Sequence, residues 1–537
     1  MGMQENESTD EHRYTQIYSE YNEVRRIGYS GYRSICNIIF NISFIRVHLC
    51  SSVVAIMKAL MIQGTAAGVG KSVLVAGLCR LLARNGVSVA PFKPQNMINN
   101  AAVTIDGGEI GRAQALQALA CGIEPTVHMN PVLIKPEADG QAQLVVRGQV
   151  VGKLQAKHFR QDRIGWMQMV LDSFAELQSQ YDVVIIEGAG SPAEPNLRES
   201  DIANMGFAEA ADVPVWLVGD IDCGGVFASL IGTLNIFSEP ERQRVQALLI
   251  NRFRGHLALL DDGLTWLEVH SGKKVAGVIP WLPLELPDED APYRLAEASK
   301  HADGELRIAV ITYPCMSNLD DLDPLAAEAP VALRLVESPE QLQPADLVIL
   351  PGSKHVVADL DWLRQRGFVT ALQAHLRYGG KVLGICGGMQ MLGREIIDEA
   401  GVENAVTAAG LGWLNMSTRM QSEKTLKWVE ATARWPQAVP VSGYEIHYGD
   451  NNPDEKLFPF SHRSADGQVW GTYLHGLFAS GPFRRVWLAE MGVSSETANN
   501  HEQRVMASLD LLADTLERVL DPVLLEPLLR RRACQSH

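Results

Sequence analysis

Short apolar runs alternate with segments of helical periodicity from Lys58 almost to the end of the chain. Apolar runs of strand length, with few polar interruptions, occur at residues 58–63, 87–92, 182–186, 213–218, 247–250 and 274–278, and again at 306–311, 346–350 and 381–385. Helical spacing occurs at residues 71–84, 108–121, 160–180 and 501–532. Because buried strands that alternate with helices form parallel sheets, this pattern predicts an α/β protein.

A stretch rich in proline and acidic residues at 280–297 interrupts the alternation and predicts a linker. A chain of 537 residues is also too long for one hydrophobic core. We therefore predict two α/β domains, at residues 57–295 and 304–490, followed by a helical tail at 500–532 that packs on one of them.

The first 56 residues form an extension whose structure the sequence leaves uncertain. Residues 1–33 are polar and rich in tyrosine, and they lack the order of a signal peptide. The apolar residues that follow, 34–56, contain no run of about 18 uncharged apolar positions, the length that a membrane-spanning helix needs. The sequence predicts no membrane span here, and we expect the functional chain to begin near Met57.

The composition is that of a globular protein, with 46% hydrophobic and 20% charged residues. A net charge of −16, with no run of five or more like charges, argues against nucleic-acid binding. The eight cysteines include no CxxC pair and no zinc-site spacing, which indicates reduced thiols in a cytoplasmic protein.

A glycine-rich loop, GTAAGVGKS at residues 64–72, joins the first predicted strand to the first predicted helix. Such a loop points successive backbone N–H groups at phosphate oxygens, and the helix N-terminus adds partial positive charge. Lys71 would reach the β and γ phosphates of ATP, and Ser72 would bind Mg²⁺. The other predicted ATP-binding residues of the loop are Gly64, Thr65, Gly68 and Gly70.

The first glycine of this loop lies one position earlier than in the common GxxxxGK[ST] pattern. The longer loop resembles that of dethiobiotin synthetase-like enzymes, which activate carboxylates as acyl phosphates.

Charged residues at the ends of other strands add to this site. Glu187 ends an apolar strand and is a candidate second ligand for Mg²⁺. Lys93 follows the second strand and could neutralise a transferring phosphoryl group, although a solvated surface lysine would look the same. Asp220 and Asp222 end another strand and are either metal or substrate contacts or caps of their loop.

A second glycine-rich turn, GICGG at residues 384–388, follows the strand at 381–385 and precedes a helical pattern. This is the Gly-x-nucleophile-x-Gly elbow, in which a tight turn exposes the nucleophile, here Cys386, at the end of a sheet. A general base must lie within reach. We predict that His475 is this base and that the competing His447 is structural or interfacial.

The thioester-forming step produces an oxyanion that needs two backbone N–H donors. Gly387, directly after the nucleophile, is the first candidate. Gly352, in the sequence LPGS at 350–353 after a predicted strand, is the second.

These motifs, taken in order, resemble the cobyric acid synthase family of cobalamin biosynthesis from about Met57 to about Leu528. The strings that carry the resemblance are FKPQNM (92–97), GEIGRAQ (108–114), NPVLIKP (130–136), EGAGS (187–191), DID (220–222), GYEIH (443–447) and YLHGLF (473–478). The resemblance implies a P-loop NTPase-type parallel sheet domain followed by a flavodoxin-like class I glutamine amidotransferase domain.

The resemblance also implies an activity. ATP would phosphorylate the b, d, e and g carboxylates of adenosylcobyrinic acid a,c-diamide, and ammonia released from L-glutamine at Cys386 would form the four amides. The implied partners are small molecules, namely a corrinoid polycarboxylate, L-glutamine and ATP with Mg²⁺, and the protein could form a homo-oligomer. Most Cys/His glutaminases carry an acid two residues after the histidine. Leu477 stands there in this chain, so some other group must orient His475.

Two alternatives remain at this point. The sister enzyme, cobyrinic acid a,c-diamide synthase, amidates the a and c carboxylates, and the strings at 108–114 and 130–136 favour the first family over it. A partition-type ATPase switch with an inert second domain would be a binding module instead. Such switches carry an extra lysine early in the loop, where this chain has Thr65, Ala66 and Ala67.

Overall fold

The structure, a computed structural model, describes residues 57–136, 142–154, 163–287, 304–403, 406–495 and 501–530. The predicted N-terminal extension lies outside these residues, as does the second half of the predicted linker. Residues 57–537 form one compact unit. Within the described ranges, no helix combines the length and the apolarity that crossing a membrane requires.

The first part of the chain is built on a six-stranded parallel sheet with the strand order β12-β11-β10-β1-β9-β2. Its central strand, β1, is buried at every position, because helices cover both faces of the sheet. The strands of this part are β1 (Ala59–Gly64), β2 (Val89–Phe92), β3 (Gln95–Met97), β4 (Ala101–Val103), β5 (Glu109–Gly111), β6 (Val132–Pro136), β7 (Ala142–Val146), β8 (Gln149–Leu154), β9 (Val183–Glu187), β10 (Val215–Asp220), β11 (Val245–Phe253) and β12 (Lys274–Pro280). The helices are α1 (Lys71–Arg84), α2 (Arg112–Cys121), α3 (Arg163–Gln180), α4 (Met205–Ala210), α5 (Val226–Ile236), α6 (Glu239–Arg244) and α7 (Asp261–Ser271).

The second part contains another six-stranded sheet, with the order β15-β13-β16-β18-β24-β23. All its pairs are parallel except β23–β24 at one edge. The strands are β13 (Leu306–Ile311), β14 (Met316–Ser317), β15 (Val331–Val336), β16 (Leu347–Leu350), β17 (Gly352–Ser353), β18 (Lys381–Ile385), β19 (Glu395–Ile397), β20 (Thr407–Ala409), β21 (Ser417–Thr432), β22 (Pro440–Asp450), β23 (His462–Arg463) and β24 (Val469–Thr472). The helices are α8 (Asp323–Ala326), α9 (Val356–Gln365), α10 (Phe368–Arg377), α11 (Gly387–Leu392) and α12 (Gly481–Glu490).

All nine strands predicted from the apolar runs are present, with ends that differ by at most three residues. The helix predicted at 108–121 is wrong at its start. Residues Glu109–Gly111 form β5, which pairs with β4 across a tight turn that includes Gly107 at φ 77°, and the helix begins only at Arg112. Glu109–Gly111 are not helical because they pair as an antiparallel strand with Ala101–Val103.

The C-terminal helices α13 (His501–Val519) and α14 (Pro522–Leu529) belong to the core of the first sheet. The predicted tail is therefore two helices. They meet at Asp521, whose side chain accepts a hydrogen bond from Val523 N–H and which precedes a proline at the first helical position. Helix α13 lies against α1, where a Cβ atom on Gly77 would come within 2.6 Å of Leu512. The chain thus returns to its first domain after completing the second.

A mixed apolar cluster joins the two sheet domains. It combines strands β4, β6 and β7 of the first domain with β22 of the second, through Ala101, Val103, Leu133, Val145, Tyr444 and Ile446. Asn318 of the second domain is also fixed to the first, because its side-chain amide donates to Ala101 O at 3.0 Å and its backbone N–H donates to Asn100 Oδ1 at 2.7 Å.

One fully buried ion pair joins helix α12 to the segment that follows α8 in the second domain. Arg484 Nε lies 2.6 Å from Glu328 Oε1, and both side chains have no exposed surface. Arg484 also donates to Phe478 O at 2.6 Å, three residues after His475. Glu328 lies at the end of the segment that begins at Leu319. The pair therefore fixes this segment relative to the loop that contains Phe478.

We expect Arg484→Met to lower the free energy of unfolding by about 3–5 kcal/mol, since it leaves the Glu328 carboxylate buried without its cation. Urea unfolding followed by tryptophan fluorescence measures the loss. The double variant Arg484→Met/Glu328→Gln should recover part of it. Arg307→Gln is the matched control because it breaks a partly exposed pair with Asp346, and it should cost less than about 1 kcal/mol. Equal stability of Arg484→Met and the wild type would contradict this assignment.

Candidate active site

Cys386 sits on a strained turn at the carboxyl end of β18. Its φ of 50° and ψ of −110° are unfavourable for a residue with a side chain, and helix α11 begins directly after it. The flanking glycines are required by close approach: a Cβ atom on Gly384 would lie 2.6 Å from the backbone of Met389, and one on Gly388 would lie 2.0 Å from Leu350 O. This geometry is that of a nucleophile elbow.

His475 reaches the same place from the neighbouring strand. Strands β18 and β24 pair in parallel, so the residues that follow them meet at one edge of the sheet. The His475 side chain is 1% exposed, and its ring stacks on Tyr444 with 5.3 Å between ring centres. Backbone hydrogen bonds between His475 and Tyr444, in both directions, hold this pairing.

Asp321 orients His475, and it is the residue that the sequence did not reveal. Its Oδ2 lies 2.7 Å from His475 Nδ1, and its Oδ1 accepts the Gly476 N–H at 2.7 Å. Asp321 lies in the 3₁₀ turn Leu319–Leu322, in the loop after β13. The Cys–His pair thus has an acid as its third member, taken from a loop instead of from the position of Leu477.

The local electrostatics favour a protonated His475. Burial disfavours the imidazolium, but Asp321 and then Cys386 outweigh burial and raise the pKa of His475 to about 10. The other ring nitrogen, Nε2, has no hydrogen-bond partner among the described residues, and Cys386 lies near enough to contribute to the raised pKa of the ring.

The two predicted oxyanion donors lie beside these side chains. A Cβ atom on Gly352 would lie 3.5 Å from His475 Cε1 and 3.0 Å from Ser317 O. A Cβ atom on Gly387 would lie 2.8 Å from Ser353 N. The structure therefore brings Gly352 and Gly387 to the same end of the sheet as Cys386, where a side chain would be tight at Gly352 and would clash with backbone at Gly387.

A cavity opens in front of Cys386 and is lined by both domains. The second domain contributes, among others, Lys354, Glu403, Lys424 and His447, and the first domain contributes Lys135 and Gln143. The predicted competitor His447 therefore lies at the cavity wall. Its ring stacks on Tyr473, and its Nδ1 is 2.7 Å from Gly449 O.

A buried charge cluster closes this cavity across the domain interface. Glu109 of the first domain has no exposed surface and lies 2.6 Å from Lys135 Nζ and 2.8 Å from Lys424 Nζ of the second domain. Although burial opposes it, these lysines hold the pKa of Glu109 below its usual value. Burial lowers the pKa of Lys424 to about 8, against the effect of Glu109. Two lysines of the cavity wall, Lys135 and Lys424, are therefore paired with one buried carboxylate.

The phosphate-binding loop lies at the carboxyl end of β1. Lys71 Nζ donates to Ala66 O, Ala67 O and Gly190 O, each at 2.9 Å. Gly70 has φ 93°, and a Cβ atom there would lie 2.4 Å from Asn251 Nδ2, which itself donates to Val69 O.

The remaining loop residues occupy defined places around this backbone. Gly64 is the last residue of β1, and Thr65 N–H donates to Val218 O of β10. A Cβ atom at Gly68 would have no neighbouring atom within 4 Å. Ser72 is the second residue of α1.

Ser72, Lys93 and Glu187 form one cluster at the mouth of this loop. Ser72 Oγ donates to Glu187 Oε1 at 2.7 Å, and Lys93 Nζ lies 2.8 Å from the same oxygen. Gln117 of α2 donates to the other oxygen at 2.6 Å. Although burial opposes it, Lys93 lowers the pKa of Glu187, so this carboxylate is ionised.

The donor set fits Mg²⁺ that is bound together with a nucleotide. In the described ranges, no three His, Cys, Asp or Glu side chains are placed to hold a metal ion by themselves. Ser72 and Glu187 offer two hard oxygen ligands within 2.7 Å of each other, and Mg²⁺ takes the rest of its octahedron from phosphates and water.

Asp220 and Asp222 are paired with arginines instead. Asp220 Oδ2 lies 2.7 Å from Arg252 Nη1, and Asp222 Oδ1 lies 3.0 Å from Arg254 Nε. Asp220 also accepts the backbone N–H of Asp222, which is a loop-capping contact.

Both halves of the chain match known protein families. The family model for a CobQ/CobB/MinD/ParA nucleotide binding domain matches residues 60–292, and the model for a CobB/CobQ-like glutamine amidotransferase domain matches residues 307–483. The chain is similar over most of its length to the cobyric acid synthase of Halorhodospira halophila, at 57% identity over 466 residues, 87% of this chain and 96% of the relative.

Two further relatives agree. The cobyric acid synthase of Rhodobacter capsulatus is 51% identical, over 87% of this chain and 98% of the relative, and that of Brucella anthropi is 50% identical, over 86% and 98%. A switch with an inert second domain does not fit a family in which a glutamine amidotransferase domain is matched as well. The chain therefore belongs to the cobyric acid synthase family of ATP-dependent, glutamine-hydrolysing amidotransferases.

Proposed function

We propose that this protein converts the b, d, e and g carboxylates of adenosylcobyrinic acid a,c-diamide into amides, and that each amide consumes one L-glutamine and one ATP. The observation that carries the proposal is the presence, in one chain, of a Cys386–His475–Asp321 arrangement and a phosphate loop with Ser72 and Glu187 in contact. The choice of carboxylates rests on the similarity to cobyric acid synthases.

Glutamine hydrolysis takes place at the second domain. The Cys386 thiolate attacks the amide carbon of glutamine, and the backbone N–H groups of Gly352 and Gly387 stabilise the oxyanion that forms. The His475 imidazolium gives its proton to the departing nitrogen, so that ammonia leaves and a thioester remains. Water, deprotonated by the now neutral His475, then hydrolyses the thioester to glutamate. Lys354 and Lys424 in the cavity wall provide positive charge for the α-carboxylate of glutamine.

Carboxylate activation takes place at the first domain. The phosphate loop and Lys71 hold the β and γ phosphates of ATP, and Lys93 lies where it can neutralise the transferring phosphoryl group. Ser72 and Glu187 would hold Mg²⁺, which would neutralise charge on the phosphates. A substrate carboxylate oxygen attacks the γ-phosphorus of ATP, ADP leaves, and an acyl phosphate forms. Ammonia attacks this carbonyl, and phosphate leaves.

Cys386→Ala separates the two halves of this reaction. We expect the variant to form no amide from glutamine but to form all four amides when ammonium is supplied, because the acyl phosphate still forms. The measurement is the product mass after incubation of adenosylcobyrinic acid a,c-diamide with Mg·ATP and either nitrogen source.

Two variants control this experiment. Cys79→Ala truncates another buried thiol, in α1, and should keep the use of glutamine. Lys71→Gln should lose amide formation with both nitrogen sources while it still hydrolyses glutamine. In a parallel incubation with cobyrinic acid, formation of only two amides would instead indicate the sister activity at the a and c carboxylates. No product with either nitrogen source would contradict the proposed substrate.

Asp321→Asn should reduce glutamine hydrolysis by about 10²- to 10⁴-fold, as loss of the acid from a catalytic triad does. Asp321 raises the pKa of His475 to about 10, so the imidazolium persists across neutral pH in the wild type. Without Asp321 the pKa falls, and the proton is lost as pH rises through this lower value. The alkaline limb of kcat/KM for glutamine should therefore move to lower pH, which a pH–rate profile of glutamate formation measures.

Ammonium-dependent amide formation is the internal control for Asp321→Asn, and it should stay at the wild-type rate. An unchanged alkaline limb, or equal losses with glutamine and with ammonium, would show that Asp321 does not act through His475.

A further inference from the structure

Asp321 has a second acid beside it that the glutaminase mechanism does not use. Asp320 is 5% exposed at its side chain and lies in the same 3₁₀ turn. One of its oxygens, Oδ1, has no hydrogen-bond partner within the described parts of the chain. Two adjacent carboxylates in a buried turn repel each other unless each is compensated.

The two carboxylates are compensated from opposite sides. His475 lies 2.7 Å from Asp321. Arg112, the first residue of helix α2 in the first domain, places Nε 2.7 Å from Asp320 Oδ2. The acid that orients the glutaminase histidine is thus kept in place beside a carboxylate whose cation comes from the ATP-dependent domain.

The first domain also fixes the start of this turn. Asn318, directly before it, adopts φ 56° and bonds Asn100 and Ala101 of the first domain. Its side-chain amide also donates to Tyr444 OH at 2.8 Å, and the Tyr444 ring stacks on His475.

We propose that Arg112 is a positioning residue of the glutaminase: by pairing with Asp320 it holds the turn in which Asp321 orients His475, so that the glutaminase site is complete only with the first domain in place. The proposal rests on the function proposed above for Cys386 and His475. Arg112 touches no reacting atom, and it acts through Asp320.

The pH dependence of an Arg112 variant distinguishes this role from a general structural one. The groups that face Asp320 are Arg112, Asp321, His475 and Tyr444. Burial raises the pKa of Asp320, while Arg112 opposes the rise. Without Arg112 the pKa of Asp320 rises further. At low pH Asp320 is then neutral and does not repel Asp321. It ionises as pH rises and then repels Asp321.

Arg112→Gln should therefore show a new alkaline decline in kcat/KM for glutamine hydrolysis, with a loss on the order of tenfold at about pH 9 and a smaller loss at about pH 6. The measured quantity is glutamate formed from glutamine, without corrinoid. The rate at which a glutamine-like chloroketone alkylates Cys386 is a second readout. Arg112→Lys should keep much of the activity because it keeps the charge.

The double variant Arg112→Gln/Asp320→Asn should lose the new alkaline decline, because the uncompensated carboxylate is gone. Arg307→Gln, which breaks an ion pair elsewhere in the second domain, should leave the profile unchanged. A melting curve for each variant identifies any that fails to fold.

An equal loss at every pH, or a decline that Asp320→Asn does not remove, would overturn the proposal. A wild-type profile in Arg112→Gln would overturn it as well. Failure of the proposed function looks different, because the wild type itself would then form no glutamate and its Cys386 would not be alkylated.

Discussion

The structure depends on how two adjacent acidic side chains, Asp320 and Asp321, are each paired with a basic group in a buried turn. Both side chains are only 5% exposed, and a buried carboxylate needs a cationic partner. One partner is His475, and the other is Arg112 from the opposite domain. Because Arg112 belongs to the first domain, the surroundings of His475 are completed at the domain interface and not within the second domain alone.

The rest of the architecture brings the two chemical sites close together. Helix α2 begins at Arg112, beside the glutaminase turn, and carries Gln117, which donates to Glu187 in the nucleotide cluster. A ten-residue helix is about 15 Å long, so one short element touches both sites. The cavity in front of Cys386 is likewise closed by Lys135 and Gln143 of the first domain. In the proposed reaction, ammonia released at Cys386 would face the domain that uses it.

Local motifs were predicted from the sequence because local backbone geometry defines them. The strain of the elbow at Cys386 and the curl of the loop before Lys71 require glycines at fixed spacings, which can be seen along the chain. His475 could be chosen because few histidines follow a strand. Asp321 could not be found this way, because it lies 154 residues before its partner and in no motif. The only signal was a pair of acids after a strand end, at the edge where parallel strands place their functional residues.

Elements whose place depends on tertiary packing were predicted only in part. The apolar face of α13 shows that the helix is buried, but nothing in its sequence says that it covers the core beside α1. The start of α2 was misplaced for a similar reason, since the pairing of β5 with β4 takes residues that fit a helical pattern. Roles at the interface, such as that of Arg112, follow only from the docking of the two domains.

The most direct test of a shared site at the domain interface is to measure where the amide nitrogen comes from. Wild-type protein would receive glutamine labelled with ¹⁵N at the amide, adenosylcobyrinic acid a,c-diamide and Mg·ATP, in the presence of excess unlabelled ammonium. If the two sites work across one closed interface, the product amides carry ¹⁵N in spite of the excess. Product labelled only to the level of the bulk ammonium would contradict the account, because the ammonia would then have passed through solvent.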